Sequence, residues 1–223
     1  MMKEPNRERK GEIKYAITLD EFQKEAKRVI IENQITIITG PAGSGKSLVS
    51  AQVALDFLNK KQVKDIRLTR AAVETGHSLG FLPGGLNEKF DPYLEAFMEN
   101  LVKCTGDAKK IDDFVKAGKI LAMPVQYIRG KTVDDILIVE EAQNLTPHEM
   151  LAIITRLGKT GKIIINGDNA QKDIKDSFTG LEYAIELSKA VEEVNWIKLQ
   201  GNHRSDLVAK ILDWDHNRTK GKS

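Results

Sequence analysis

The chain has 223 residues, 41% of them hydrophobic and 30% charged, with a formal net charge of +2. That length accommodates one sizeable core, and a balance so close to neutral does not by itself announce a nucleic-acid binder. A single cysteine, Cys104, excludes an internal disulfide and a multi-cysteine zinc site, the four histidines lack metal-ligand spacing, and no run approaches the ~18 apolar residues of a membrane span.

Met1 to Glu12 is charged and lacks the apolar centre of a secretory signal, so the expected location is cytoplasmic. Residues 1–14 and 217–223 are expected to be loosely ordered. From Leu19 to Glu32, apolar residues recur at helical spacing, with Asp20 as a candidate cap. Ile35–Thr39 reads as a buried strand, followed by a glycine-rich turn and a helix through Leu48, Ala51, Ala54, Leu55 and Leu58. Ile66–Thr69 reads as a short strand and Thr75–Gly85 as a long loop. Two amphipathic helices follow at Glu88–Lys103 and Asp107–Lys116, then a strand at Ile120–Met123 and an extended piece at Val125–Ile128. Asp135–Val139 is a strongly apolar strand and Pro147–Leu157 a helix. The remainder predicts a strand at Lys162–Asn166, a helix at Gly180–Lys189, a strand at Val194–Leu199 and a closing helix at Ser205–Trp214. Such alternation predicts an α/β fold, one domain over 1–223, with a mainly parallel sheet flanked by helices on both faces. Ligands of such sheets bind beyond the carboxyl ends of the strands, which places Gly40, Glu140, Gly167 and Leu199 at one rim.

The turn after the first strand, Gly40-Pro41-Ala42-Gly43-Ser44-Gly45-Lys46-Ser47, fits G-x-x-x-x-G-K-[ST] in the strand–turn–helix setting that pattern needs. Its backbone N–H groups and the helix N-terminus suit a triphosphate such as ATP. Lys46 is expected to reach the β- and γ-phosphates and the Ser47 hydroxyl to ligate Mg²⁺. Two carboxylates, Glu140 and Glu141, close the Asp135–Val139 strand. Glu140 is assigned to the metal side and Glu141 to activation of the attacking water. Gly167-Asp168, with Gln171 three residues later, would set an amide beside the γ-phosphate, where it could tell ATP from ADP. Arg204 lies at the same rim, a candidate arginine finger acting within the subunit or across to a neighbour.

On these residues the chain resembles the PhoH-like proteins, P-loop ATPases related to the first motor domain of superfamily 1 helicases. The resemblance runs from about Leu19 to Arg204. It is carried by Gly40–Ser47, Arg70-Ala-Ala-Val-Glu74, Gly76, Ser78–Gly84, Pro92-Tyr93, Tyr127–Thr132, Glu141–Asn144, Thr155–Gly158, and Gly167-Asp168 with Gln171 and Asp173. It implies a RecA-like fold, binding and hydrolysis of ATP, RNA or single-stranded nucleic acid as partner, and homo-oligomers, a hexameric ring among them. Gln23 looks like the glutamine that contacts adenine in the helicase relatives. With only one motor core, a motor of this kind needs a neighbouring subunit, to which Arg204 or Arg156 could contribute. Arg70, Arg129, Lys131 and Arg156, with Arg67, are candidates for a phosphate-tracking groove, and Phe81, Phe90, Tyr93 and Tyr127 for stacking faces. The alternative is that these arginines pair with nearby acids and the aromatics fill the core.

One departure stands out. The family usually has Asp-Glu where this chain has Glu140-Glu141, one methylene longer on the metal side. That motivates a second reading, an ATP-dependent switch or assembly module with little turnover. A third, a thymidine-kinase-like phosphotransferase, lacks the cysteines for its zinc lasso.

Overall fold

The computed structural model describes residues 13–71, 86–174 and 177–201, together with His203, Leu207, Val208, Lys210, Ile211 and Trp214. The expected loop at Thr75–Gly85, Arg204, Phe81, the side chains of Phe90 and Tyr93, and both expected loose ends (except residues 13 and 14) lie outside the described residues.

Helix α1 (Glu21–Glu32) starts at Asp20, whose carboxylate accepts from the Gln23 N–H while the Gln23 side chain returns to the Asp20 N–H. This reciprocal capping box satisfies two donors that a helix start leaves orphaned. Strand β1 (Ile35–Thr39) consists wholly of β-branched residues and is buried throughout, as expected of a strand covered on both faces. Helix α2 (Lys46–Asn59), strand β2 (Ile66–Arg70) and helices α3 (Leu86–Thr105) and α4 (Ala108–Lys116) follow. Then come β3 (Ile120–Ala122), α5 (Val125–Ile128), β4 (Ile136–Glu140), α6 (Pro147–Ile154), β5 (Lys162–Gly167), α7 (Gly180–Ala190) and β6 (Val194–Lys198). Thr146 and Thr179 cap α6 and α7 with capping boxes completed by Glu149 and Glu182.

Among the described residues six strands form one sheet, all parallel, in the order β3-β2-β4-β5-β1-β6. Alternate residues of each strand face opposite sides. Ile38, Ile136, Ile138 and Ile164 pack with α1 to α4 in one core, and Ile37, Leu137, Val139, Ile163 and Ile165 with α5 to α7 in the other. Each such fully buried side chain contributes roughly 1.5–3 kcal/mol. The α/β fold with helices on both faces is as the alternation predicted. Among the described residues the one reversal is Val125–Ile128, expected to be extended but helical. Pro124 turns the chain there, and a single helical turn buries Val125 and Ile128, three positions apart, on the same side. Among the described residues no helix is long and apolar enough to cross a membrane.

Candidate nucleotide-binding site

The registers Thr39↔Gly167, Thr39↔Lys198 and Arg70↔Glu140 bring the C-terminal ends of β1, β2, β4, β5 and β6 to one edge. The Gly40–Gly45 turn leaves β1 there and feeds α2. Gly45 adopts φ +88°, and a Cβ on it would collide with the Gln23 side-chain nitrogen. A Cβ on Gly40 would lie 2.8 Å from the Leu199 carbonyl oxygen. Both positions therefore demand glycine. Lys46 Nζ donates to the Gly40 and Pro41 carbonyls at 2.6 and 3.1 Å, folding the loop around its own ammonium. From behind, Gln23 Nε2 donates to the Ser44 carbonyl at 3.0 Å. With its oxygen accepting from Asp20 N–H and the residue only 2% exposed, Gln23 braces the loop rather than standing open to a base. Beyond β6, the His203 N–H donates to the Gly43 carbonyl, and the His203 ring meets Asp20 at 2.8 Å.

The acidic pair closes the opposite wall. Glu140 is the last residue of β4, and one of its carboxylate oxygens accepts from the Ser47 hydroxyl at 3.0 Å. Its other oxygen accepts from Asn166 Nδ2 at 3.0 Å, from the neighbouring strand β5. Burial pushes the Glu140 carboxyl up to about 7, helped by the charge of Glu141 and opposed by the Asn166 and Ser47 hydrogen bonds and by Lys46. A divalent cation beside it would favour the ionised form. Glu141 lies in the left-handed region at φ +53°, uncommon for a residue with a side chain, and its carboxylate accepts from Gln143 Nε2 at 2.5 Å. Gln143, fully buried, also donates to the Gln171 carbonyl at 3.2 Å and accepts from the Asp168 N–H at 3.0 Å. Next to it, Asn144 exchanges two hydrogen bonds with Asp173. The turn after β4 is thereby stitched to the turn after β5. Gln171 is exposed, and its amide is held by Asp168 at 2.7 Å.

These groups surround a cleft of about 340 Å³ whose walls include Gly43, Gly45, Lys46, Ser47, Glu140, Glu141, Asp168 and Gln171, together with Asn100 of α3 and Asn166. A smaller space of about 210 Å³ adjoins it, bounded by Leu68, Arg70, Phe97 and Asn100. Backbone N–H groups, the α2 N-terminus and a lysine suit an anionic phosphate chain. Among the described residues no group of three His, Cys, Asp or Glu stands ready to enclose a metal. Ser47 and Glu140 instead supply one hydroxyl and one carboxylate, the sparse protein donor set typical of Mg²⁺ held beside phosphates and water. The residues present fit that ion.

Lys46, Ser47, Glu140, Glu141 and Gln171 thus line one cleft. The basic candidates do not converge. Arg70 ends β2 at the cleft edge, in register with Glu140. Arg67 is paired with Asp65 at 2.8 Å and Asp135 at 3.7 Å. Exposed Arg129 and Lys131 follow α5, and the Arg156 carbonyl bonds the Val133 N–H, which places Arg156 beside the chain entering β4, away from the cleft. Tyr127 is 47% exposed. Sequence reasoning assigned no role to Asn166, Ser50, Gln143 or Asn100. The signal available for Asn166 was a lone amide directly after the apolar run Ile163–Ile165.

The sequence profile of the family described as "PhoH-like protein" matches residues 17–214. A PhoH-like protein of Bacillus subtilis (strain 168) is 40% identical over 195 residues, covering 86% of this chain and 61% of that protein. Protein PhoH of Escherichia coli (strain K12) is 35% identical over 183 residues, covering 80% of this chain and 51% of that protein. The chain thus spans between one half and two thirds of these curated relatives. Among solved structures, the Pif1 helicase from Candida albicans aligns with a TM-score of 0.47 at 18% identity, covering 88% of this chain and 43% of that one. With its P-loop, its paired carboxylates and a profile match over most of its length, the chain belongs to the PhoH-like protein family.

Proposed function

We propose that this chain binds ATP with Mg²⁺ and hydrolyses it, and that it acts on RNA or single-stranded nucleic acid as a helicase-like motor or remodeller. The observation that carries the reading is the convergence of Lys46, Ser47, Glu140, Glu141 and Gln171 on one cleft beyond the strand ends. Gly40–Ser47 takes the phosphates, and Lys46 exchanges its loop carbonyls for phosphate oxygens. Ser47 and Glu140 hold the metal, whose part is to neutralise charge on the phosphates. Glu141 orients water and accepts its proton, and Gln171 distinguishes the γ-phosphate. Arg204 is assigned the arginine-finger role on its place in the sequence. In this reading Gln23 supports the adenine end of the site by bracing the loop.

Residues 1–223 are taken as one PhoH-like domain that is cytoplasmic and works as a homo-oligomer, a hexameric ring among the forms. Arg70 is the nucleic-acid candidate nearest the cleft, while Arg129, Lys131 and Arg156 remain candidates away from it. The test is phosphate release from ATP with and without single-stranded RNA at two salt concentrations. RNA-stimulated release that weakens with salt is expected, and wild type matching Lys46→Ala in every condition would sink the proposal. A second reading, a nucleotide-dependent assembly switch with little turnover, is favoured by Glu140, one methylene longer on the metal side than the family's usual Asp. Sizing the protein with ATP, with ADP and without nucleotide decides it; one unchanged size in all three would exclude the switch.

A further inference from the structure

Lys162, Ile164 and Asn166 share the face of β5 that looks toward α2. Asn166 is fully buried beneath the acidic end of β4. Its Nδ2 donates to Glu140 Oε1 and to Ser50 Oγ, each at 3.0 Å. Ser50 Oγ lies 3.1 Å from Asn166 Oδ1 and also donates to the Lys46 carbonyl at 3.0 Å. With the carboxylate ionised, as a bound divalent cation would hold it, Glu140 only accepts, so the amide nitrogen faces it and the amide's orientation is fixed. The other Glu140 oxygen accepts from Ser47. A glutamate has one more rotatable bond than an aspartate, so one hydrogen bond from Ser47 leaves its carboxylate free to pivot. A second anchor on the second oxygen removes that freedom.

We propose that Asn166 is a positioning residue for Glu140. It holds the carboxylate in the orientation that presents its remaining oxygen to Ser47, and Ser50 holds the amide in turn. The inference rests on the Mg²⁺–nucleotide reading of the cleft. It assigns to this chain's own residues a task that a shorter side chain at position 140 would not require. Partners that orient a metal-holding group typically change metal affinity 10–100-fold when removed.

The experiment is a double-substitution cycle on the full chain, with Asn166→Ser and Glu140→Asp singly and together. A fluorescent ADP analogue is titrated with Mg²⁺ and, separately, without metal, and folding is checked by thermal unfolding. In the wild-type background, Asn166→Ser is expected to raise the Mg²⁺ midpoint at least about tenfold, while metal-free nucleotide affinity changes less than about twofold. With Asp at 140, whose shorter carboxylate stops short of the Asn166 amide, the same substitution is expected to shift the midpoint less than about twofold. Ser50→Ala, which disturbs the amide from its other side, should move the midpoint in the same direction without touching Glu140. Equal shifts with Glu and with Asp at 140, equal losses with and without metal, or no shift in either Asn166→Ser or Ser50→Ala would overturn the proposal. Wild type that binds the nucleotide without any Mg²⁺ dependence would refute the metal reading of the cleft itself. A Mg²⁺-dependent wild type whose variants are unchanged refutes only the role of Asn166.

Discussion

Replacing Gln143 by leucine tests whether the two acidic turns are held together as described. The side chains are of similar size, so the substitution removes hydrogen bonds rather than volume. Three are lost, to the Glu141 carboxylate at 2.5 Å, the Gln171 carbonyl at 3.2 Å and the Asp168 N–H at 3.0 Å. A hydrogen bond to a charged group contributes about 1.5–3 kcal/mol, and each backbone partner about 1. Water can reach the exposed Gln171 end and replace part of that bond, so the expected destabilisation is about 3 kcal/mol, somewhat below the sum of about 3.5–5. For a chain of this size that corresponds to a fall in Tm of roughly 6–12 °C. Urea unfolding should show the midpoint moving with an unchanged slope, as for a change in stability alone. Phosphate release should fall as well, because Glu141 sits at φ +53° and loses the partner that holds its carboxylate. A stability change below about 1 kcal/mol, with catalysis intact, would refute this account of the turn.

Three further outcomes follow from other contacts. Gln23→Ala removes half of a capping box and the brace on Ser44. It should destabilise by about 1–2 kcal/mol and weaken nucleotide binding, whereas a residue that merely touched the base would leave the apo protein's unfolding midpoint where it was. Gln171→Ala, at an exposed position, should change stability by less than about 0.5 kcal/mol yet shrink the preference for ATP over ADP in competition binding; an unchanged preference tells against the γ-phosphate role. Lys162 is buried with its ammonium donating to the carbonyls of Ile30, Ile31 and Asn33, and burial pushes it down to about 8. An unfolded lysine titrates near ~10.4, so between those values the unfolded chain holds a proton the folded chain has released. Stability should therefore rise with pH across that window. The urea midpoint of wild type minus that of Lys162→Met should be flat below pH ~7 and climb from ~8 to ~10; a difference that stays flat or falls contradicts the shift.

Much of this architecture is legible locally. Runs such as Ile35–Thr39 and Ile136–Val139 are β-branched or apolar throughout, and Asp20/Gln23, Thr146/Glu149 and Thr179/Glu182 mark helix starts by their three-residue spacing. The P-loop and the acids at the end of β4 follow from the same kind of short-range pattern. Val125–Ile128 was misjudged because four residues carry too little periodicity to separate one helical turn from an extended piece. The role of Asn166 depends on β5 lying beside β4 and presenting that face to α2, a long-range fact that no local pattern encodes. The basic residues illustrate the same limit. Arg156 sits near a strand in sequence, but α6 has by then carried the chain back from the C-terminal edge toward the start of β5, away from the phosphate site.

Calorimetric titration of Mg²⁺–ATP into wild type and Lys46→Ala shows whether Gly40–Ser47 holds a triphosphate. Saturable, one-to-one binding by wild type is expected, with affinity at least about tenfold weaker in the variant, since a charge-assisted contact to phosphate is lost. Indistinguishable titrations, or no binding by either protein, would contradict that.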